Sequence, residues 1–372
     1  MKWFGFGAGR AEARPALSGS VSRTGIPIVG AAGGEWPRNY EARVRAAYLE
    51  NAVAQRAVRL VAESLGEAPL SASDPKLAAL VTARSGGQPL LATVAAQLLL
   101  HGNAYLQMLC DAEGLLAEIY ALRPERVSVV CDAGGWPAAY RYRVGARTTD
   151  LPAGPVKPAV VHIRSFDPLD DHYGLGCLGA ASGAVAIHNA TARWSKALLD
   201  NAARPSGALV YEAGDGSALS TEQFERLRRE MDAFVGSGNA GRPLLLEGGL
   251  KWQAMSLSPA DMDFAGCKAA AAREIALAFG VPSMLLGLPG DATYANYREA
   301  NKALWRSTVL PLAATILTSI AQGVEGWFEG AALTVDLNQV PALAEDRERL
   351  WASVSAASFL EVEEKRALLG LA

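Results

Sequence analysis

The segment DPLDDHYGLG sets Asp167, Asp170, Asp171 and His172 within one short stretch. Carboxylates and an imidazole so close together are a donor set for a divalent cation. The same residues also compose an acid-rich turn ahead of a helix, where carboxylates favour the positive helix end. The turn is the simpler reading. The run FGFGAGR, Phe4–Arg10, imitates a glycine-rich phosphate loop but lacks the preceding strand and the full spacing. No G-x-x-x-x-G-K-[ST] run occurs, so ATP hydrolysis by this chain is not expected. A G-x-S-x-G elbow, an H-E-x-x-H pair and an H-x-E…P-C-x-x-C signature are equally missing from the sequence.

Cys110, Cys131, Cys177 and Cys267 form no C-x-x-C pair, and His101, His162, His172 and His188 show no ligand spacing. Reduced thiols and no structural metal are expected. The run RLRRE puts Arg226, Arg228, Arg229 and Glu230 on one helix pattern. It reads as a solvated face, or as a contact for a phosphate or a protein partner. Trp194, Trp252, Trp305 and Trp351 lie in helical or strand patterns, where packing explains them better than base stacking. No catalytic residue emerges.

Half of the 372 residues are hydrophobic and 20% are charged, ordinary for one large or two modest globular domains. The net charge of -3 argues against a broad basic face that clamps nucleic acid. The apolar runs Pro89–Leu100 and Val309–Ala321 fall short of the roughly 20 residues a bilayer span needs, so no membrane is expected. MKWFGFGAGR lacks a sustained apolar core and a cleavage site, so it does not read as a signal peptide.

Residues 1–38 are rich in Gly, Ala, Ser and Pro and read as a flexible arm. Apolar spacing predicts a helix over Tyr40–Leu65, stopped by Gly66, and a second over Leu90–His101, stopped by Gly102, with Pro89 in its first turn. NAYLQMLC, EIYALRP, RVSVVCD, AAYRYRV and AVVHIRS then read as strands of a β-rich block over about 104–164. A long helix follows over Gly176–Ala203. GALVYE reads as a strand, and LSTEQFERLRREMDAFVG as a helix with a Ser220–Gln223 capping pair, closed by Gly236. A hairpin is expected about Gly248–Gly249. The next helix is expected to start at Ser258 with Pro259 in its first turn and to run to Phe279. GLPGDAT then gives turn formers without periodicity. A further helix is expected from an Asn296 cap, kinked at Pro311, before a strand ALTVDL and a helical tail capped at Ser358 with Glu361.

Several of these segments, taken in order, resemble the portal proteins of tailed bacteriophages. They are LLLHGNAYLQ, VVHIRSFDPLDDHYGLGCLGAA, GNAGRPLLLEGGLKWQAMSLSPADMDF, REIALAFGVPSMLLG, ATYANYREANKALWRSTVLP and FLEVEEKRALLGL. The resemblance spans about Tyr40 to Leu371, and the short chain also suits the portal proteins of phage-derived gene transfer agents. It implies an α+β portal-type fold with a wing, a two-helix stem, an α/β clip and a small helical C-terminal crown. The wing would occupy residues 39–175, the first stem helix 176–205, the clip 206–257 and the second stem helix 258–279. A tunnel loop would occupy 280–295, a kinked helix and wing strand 296–340, and the crown 341–372.

The resemblance further implies a homo-oligomeric ring of about twelve subunits at one capsid vertex. Double-stranded DNA would pass through the ring without sequence specificity during packaging and ejection. The expected partners are the major capsid protein, a terminase large subunit that supplies the motor, and a head-tail adaptor. The protein would be part of a virion or virus-like particle assembled in the bacterial cytoplasm, with no cofactor and no metal. Gly287, Leu288, Pro289, Gly290, Asp291, Ala292, Thr293 and Tyr294 would form the tunnel-loop tip. Arg193, Lys196, Lys268 and Arg273 would be candidates for lining the channel or for pairing between subunits. Arg226, Arg228, Arg229 and Glu230 would be candidates for terminase or adaptor docking. The short tail speaks against a long internal barrel, and the loop tip lacks Lys and Arg for gripping phosphates. A metal-dependent enzyme lidded by residues 280–295, and a capsid adaptor that forms no ring, are the alternatives.

Overall fold

The computed structural model describes residues 39–200, 207–211, 220–233, 250–254, 263–288 and 294–370. The expectations for the arm 1–38 and its FGFGAGR run lie outside the described residues. The chain begins with α1 (Tyr40–Val44) and a π turn, Arg45–Leu49. One helix over 40–65 was expected, but it breaks at Glu50–Asn51. The physical reason is Asn51, whose side-chain oxygen accepts the Ala54 N–H at 3.0 Å and so starts α2 (Ala52–Gly66) afresh. Next come β1 (Leu70–Ala72), α3 (Pro75–Thr82), β2 (Arg84–Ser85) and β3 (Gln88–Pro89), none of which the apolar spacing signals. α4 (Leu90–His101) matches its expected span. It ends at Gly102, whose φ of 82° suits glycine, and a side chain there would overlap the backbone of Gly174–Gly176.

The β-rich block is present as β4 (Asn103–Cys110), β5 (Leu116–Leu122), β6 (Val127–Cys131), β7 (Pro137–Val144), β8 (Arg147–Pro152) and β9 (Val160–Arg164). β4 is the centre of one antiparallel sheet, between β5 and β9, and β7 is the centre of another, between β6 and β8. β8 escapes sequence reading because Arg147–Asp150 is polar and exposed on both faces.

The long helix α5 (Leu178–Asp200) leads to β10 (Gly207–Tyr211), α6 (Thr221–Ala233) and β11 (Leu250–Ala254). The Ser220–Gln223 pair caps α6 reciprocally: Ser220 N–H donates to Gln223 Oε1 at 2.9 Å and Gln223 N–H to Ser220 Oγ at 3.3 Å. β11 pairs antiparallel with β10, Gly207 opposite Ala254. The turn at Gly248–Gly249 and the Gly236 stop lie outside the described residues.

α7 (Phe264–Ala278) is capped by Asp263, which accepts the Gly266 N–H at 3.1 Å. Ser258 and Pro259, where the start was expected, lie outside the described residues; the described helix begins where Asp263 supplies an acceptor for its first free N–H groups. α8 (Tyr294–Leu304) is already helical at Tyr294, so Asn296 lies inside it and does not cap it. Ahead of Pro311, where a kink was expected, the helix has a π turn, Trp305–Val309, in which Leu310 N–H reaches back to Trp305 C=O. This wide turn ends just before α9 (Leu310–Val324) and gives the Pro311 ring room against the preceding turn. β12 (Leu333–Val335) pairs with β1. In the tail, α10 (Ala344–Ala356) precedes α11 (Val362–Leu368). Glu361 caps α11 in a reciprocal pair with Glu364, where Ser358 was expected.

The main core joins α2, α4, α7 and α9 to β4 and β9 through Val61, Leu98, Leu106, Ile163, Ile275 and Ile316, all 2% exposed or less. Burying each such aliphatic side chain stabilises by about 1.5–3 kcal/mol. A second core of Tyr105, Leu122, Val127, Val129, Tyr140 and Val160 joins the two three-stranded sheets. Lys302 on α8 is buried and holds α10 through Glu345 at 3.1 Å and Asp346 at 3.4 Å, with Glu299 also at 3.1 Å.

The helical run Asn296–Val324 is long and apolar enough to cross a membrane, which the shorter Val309–Ala321 reading missed. Its apolar stripe, including Leu304, Val309, Ile316 and Ile320, is buried in the core, while Arg306, Thr315, Thr318 and Gln322 lie outward. That division is the pattern of a core helix.

Candidate channel-lining site

α5 and α7 lie side by side, and both bury small side chains: Ala181, Ala184 and Val185 on α5, Ala271, Ala272 and Ala276 on α7. Alanines let two helix backbones approach closely. Near the far end of α5 the contact becomes aromatic, with Trp194 stacked on Phe264 at 4.0 Å between ring centroids. The middle of α5 is fixed by a polar node. Asn51 Nδ2 donates to Asn189 Oδ1 at 2.8 Å and lies 3.1 Å from His188 Nδ1, while Asn189 Nδ2 donates to Ala46 C=O at 2.8 Å. One buried asparagine therefore caps α2 and anchors α5. Sequence reasoning missed this node, although Asn189 falls on the Ala181–Val185 apolar stripe at helical spacing and was a legible anomaly.

The four candidate lining cations are all exposed. Arg193 and Lys196 are roughly 60° apart around α5 and share a face. Lys268 and Arg273 are about 140° apart around α7 and do not. Burial first, and then the Lys268 charge, holds the His188 imidazole below the usual histidine range. The pair Arg193 and Lys196 is thus the better-formed basic spot.

The stretch assigned to the tunnel loop is more ordered at its near end than expected. Gly280, φ 66°, terminates α7 in a Schellman motif: Val281 N–H donates to Ala276 C=O at 2.9 Å and Gly280 N–H to Leu277 C=O at 3.0 Å. Thr308 Oγ1 donates to Gly280 C=O at 2.5 Å, which ties this corner to the π turn before α9. A 3₁₀ turn over Ser283–Leu286 follows, with Val281 and Leu285 buried, and Gly287 ends it in the left-handed region. Leu288 is half-buried, and Tyr294 opens α8. Pro289, Gly290, Asp291, Ala292 and Thr293 lie outside the described residues. On α6, Arg226, Arg228 and Arg229 are exposed, and Glu230 continues the helix. Phe224 is exposed on the same helix.

The acidic cluster is structural. Asp167 Oδ1 accepts the Leu169 N–H at 2.9 Å, and Asp170 Oδ1 accepts His172 N–H at 2.8 Å and Tyr173 N–H at 2.9 Å. These are side-chain-to-backbone turns, and among the described residues no group of His, Cys, Asp and Glu is placed to hold a metal ion. Beneath the turn, Asn103 Oδ1 accepts from Gly174 N–H at 2.8 Å and from His162 Nε2 at 3.0 Å. His162 stacks on Tyr105 at 4.3 Å. Burial, with the nearby Arg164 charge second, pushes the His162 pKa down to about 3, so this imidazole is neutral.

The β-rich block with its core helices, the close-packed α5–α7 pair and the two-stranded β10–β11 sheet between them in sequence make up the described fold. The chain belongs to the phage portal protein family, whose sequence profile matches residues 52–370. A chain in the virion of a native gene transfer agent particle is 48% identical, with a TM-score of 0.71 over 92% of this chain and 96% of that one. The neck of the native particle, solved with C12 symmetry, contains a chain matched over 90% of this one and 94% of its own length. An HK97 family phage portal protein from Corynebacterium diphtheriae shares the fold at 17% identity, with a TM-score of 0.57. An uncharacterized protein of Rickettsia felis is 40% identical over 345 residues, 87% of this chain and 88% of its own length.

Proposed function

We propose that this chain is the portal subunit of a gene-transfer-agent-like or phage particle. Copies form a ring at one capsid vertex, through which double-stranded DNA enters and leaves. The observation that carries the reading is the 48% identity to a gene transfer agent chain across 96% of that chain's length. The C12 symmetry of that particle's neck supports twelve copies. The α5–α7 pair serves as the stem, with Arg193 and Lys196 facing the channel. Its modest charge suits a conduit, because every firm phosphate contact is a salt-dependent attachment that would hold the cargo back. Contacts to backbone phosphates carry no base specificity. The β10–α6–β11 module serves as the clip, where exposed Arg226, Arg228 and Arg229 suit an acidic face on the terminase or the head-tail adaptor. The major capsid protein surrounds the wing, and the tunnel loop over 280–295 meets passing DNA by shape.

Native mass spectrometry of the purified chain tests the ring: a closed species of about twelve subunits is expected from cyclic closure. A chain that stays monomeric at high concentration removes this reading.

A further inference from the structure

The two C-terminal helices meet the body of the chain through charge. The main core takes in Val340 and Leu343, just ahead of α10, and among the described residues no buried side chain beyond them. Val354 and Leu369 are buried too, but they belong to neither core. Among the described residues α10 packs closely only on the 3₁₀ turn Pro341–Leu343 and on α11. What reaches across to the body is an ion cluster at the first turn of α10. Glu345 lies 3.1 Å from Lys302 and 3.5 Å from Arg298, and Asp346 lies 3.4 Å from Lys302 and 2.7 Å from Arg306. These three cations stand at i, i+4 spacing along α8 and its π turn, so they share one face. A further contact to the body, Arg347 Nε to Asn338 Oδ1 at 2.8 Å, is polar as well. The two helices are also tied to each other: Arg347 Nη2 donates to Leu369 C=O at 2.9 Å, and Lys365 Nζ to Ser355 C=O at 3.4 Å.

We infer that α10 and α11 form an ionic strap, which leaves the body as one unit when the cluster around Lys302 is screened, while the main core stays folded. The hinge is the segment 340–343, because Val340 and Leu343 remain seated in that core. Arg298 and Arg306 keep half or more of their side chains in water, at 51% and 60% exposure, so dissolved ions reach them and weaken their pairs. Lys302 is the hub: its ammonium donates to Glu299, Glu345 and Asp346 together. Glu299 is on α8 itself, so Lys302 keeps a carboxylate beside it when the strap lifts. Opening therefore strands no buried charge and takes no buried side chain beyond Leu343 out of the main core. What it uncovers is the basic face of Arg298, Lys302 and Arg306, on the helix that follows the stretch assigned to the tunnel loop. Every contact lies within one chain, so the inference does not depend on the portal reading.

Hydrogen exchange of the full chain, read by mass spectrometry, tests the strap at ionic strengths of about 0.01 M and about 1 M, where the Debye length is about 30 Å and about 3 Å. Amide protection in both α10 and α11 is expected to fall about fivefold or more at the higher ionic strength, while α4 and β4 are unchanged. Lys302→Met keeps much of the side chain's length and removes the hub charge, so its tail should be loose already at the lower ionic strength. Tail protection that ignores ionic strength in the wild type overturns the strap, and so does a Lys302→Met tail as protected as the wild type. An equal fall in α4 and β4 overturns it too, since the whole chain is then opening. Should Lys302→Met fail to fold, Glu345→Gln with Asp346→Asn neutralises the other side of the cluster. α11 contains neither substitution, so its loosening together with α10 supports release as a unit, and unchanged protection there overturns it.

Discussion

The wing core and the stem pair use different side chains for different ends. The wing buries Tyr105, Leu106, Ile163 and Ile316 to 1% exposure or less and matches its buried Asn103 with His162 and Gly174. The stem packs alanines, adds one stacked aromatic pair, and leaves Ile187 and Leu277 exposed at 49% and 79%. A region with large buried side chains folds on its own account. The contrast puts the large buried side chains in the main core and leaves the α5–α7 pair held by small ones.

The contrast breaks first if the wing is not the seat of stability. Ile316→Ala on α9 is expected to cost about 2–5 kcal/mol in urea unfolding, because the cavity adds to the lost transfer energy. A loss under about 1 kcal/mol would place the dominant core elsewhere. Asn51→Ala comes next, at about 2 kcal/mol, since it removes a helix cap and leaves Asn189 short of a partner. Asn51→Asp should restore the cap without the bond to Asn189 Oδ1 and recover only part of the loss.

Acid should act on the wing through His162. Its folded pKa of about 3 lies below the unfolded value of 6.5. The unfolded chain therefore takes up the proton first, and this contribution is fully present above pH 6.5 and lost as pH falls toward 3. The slope is about 1.4 kcal/mol per pH unit. Urea midpoints measured from pH 7 to pH 5 should show it, and His162→Gln should flatten the curve. A slope unchanged in that variant would trace acid loss to carboxylates instead.

The smallest stability effect belongs to the stem surface. Arg193→Ala with Lys196→Ala should move stability by less than about 0.5 kcal/mol, leave ring size unchanged, and alter the amount of DNA retained in particles. Unaltered DNA content would take both residues out of the channel.

How far these features were legible depended on the range of the interactions behind them. α4 could be read to the residue, because a solid apolar run meets Gly102 in the αL conformation. The Ser220–Gln223 cap could be read because both partners lie within one turn. The break at Asn51 could not, since the residues around it keep helical apolar spacing and its strongest ties reach Asn189 and His188, far along the chain. The π turn before Pro311 was not legible for a similar reason, since the residues around it keep helical apolar spacing. Arg193 and Lys196 carried their pairing in their spacing, but nothing in the sequence put the Lys268 charge within reach of His188.

By itself the sequence determined the α+β class, the absence of a phosphate-loop or hydrolase motif, and the ordered segments that resemble portal proteins. Those rest on composition and on patterns within a few turns, which local physics writes directly into residue order. The tertiary structure alone decided that Asp167 and Asp170 accept backbone N–H groups and so close turns. It also turned Phe166 and Leu169 outward. Exposure and hydrogen-bond partnership are properties of neighbours distant in sequence, and only the folded chain brings those neighbours together.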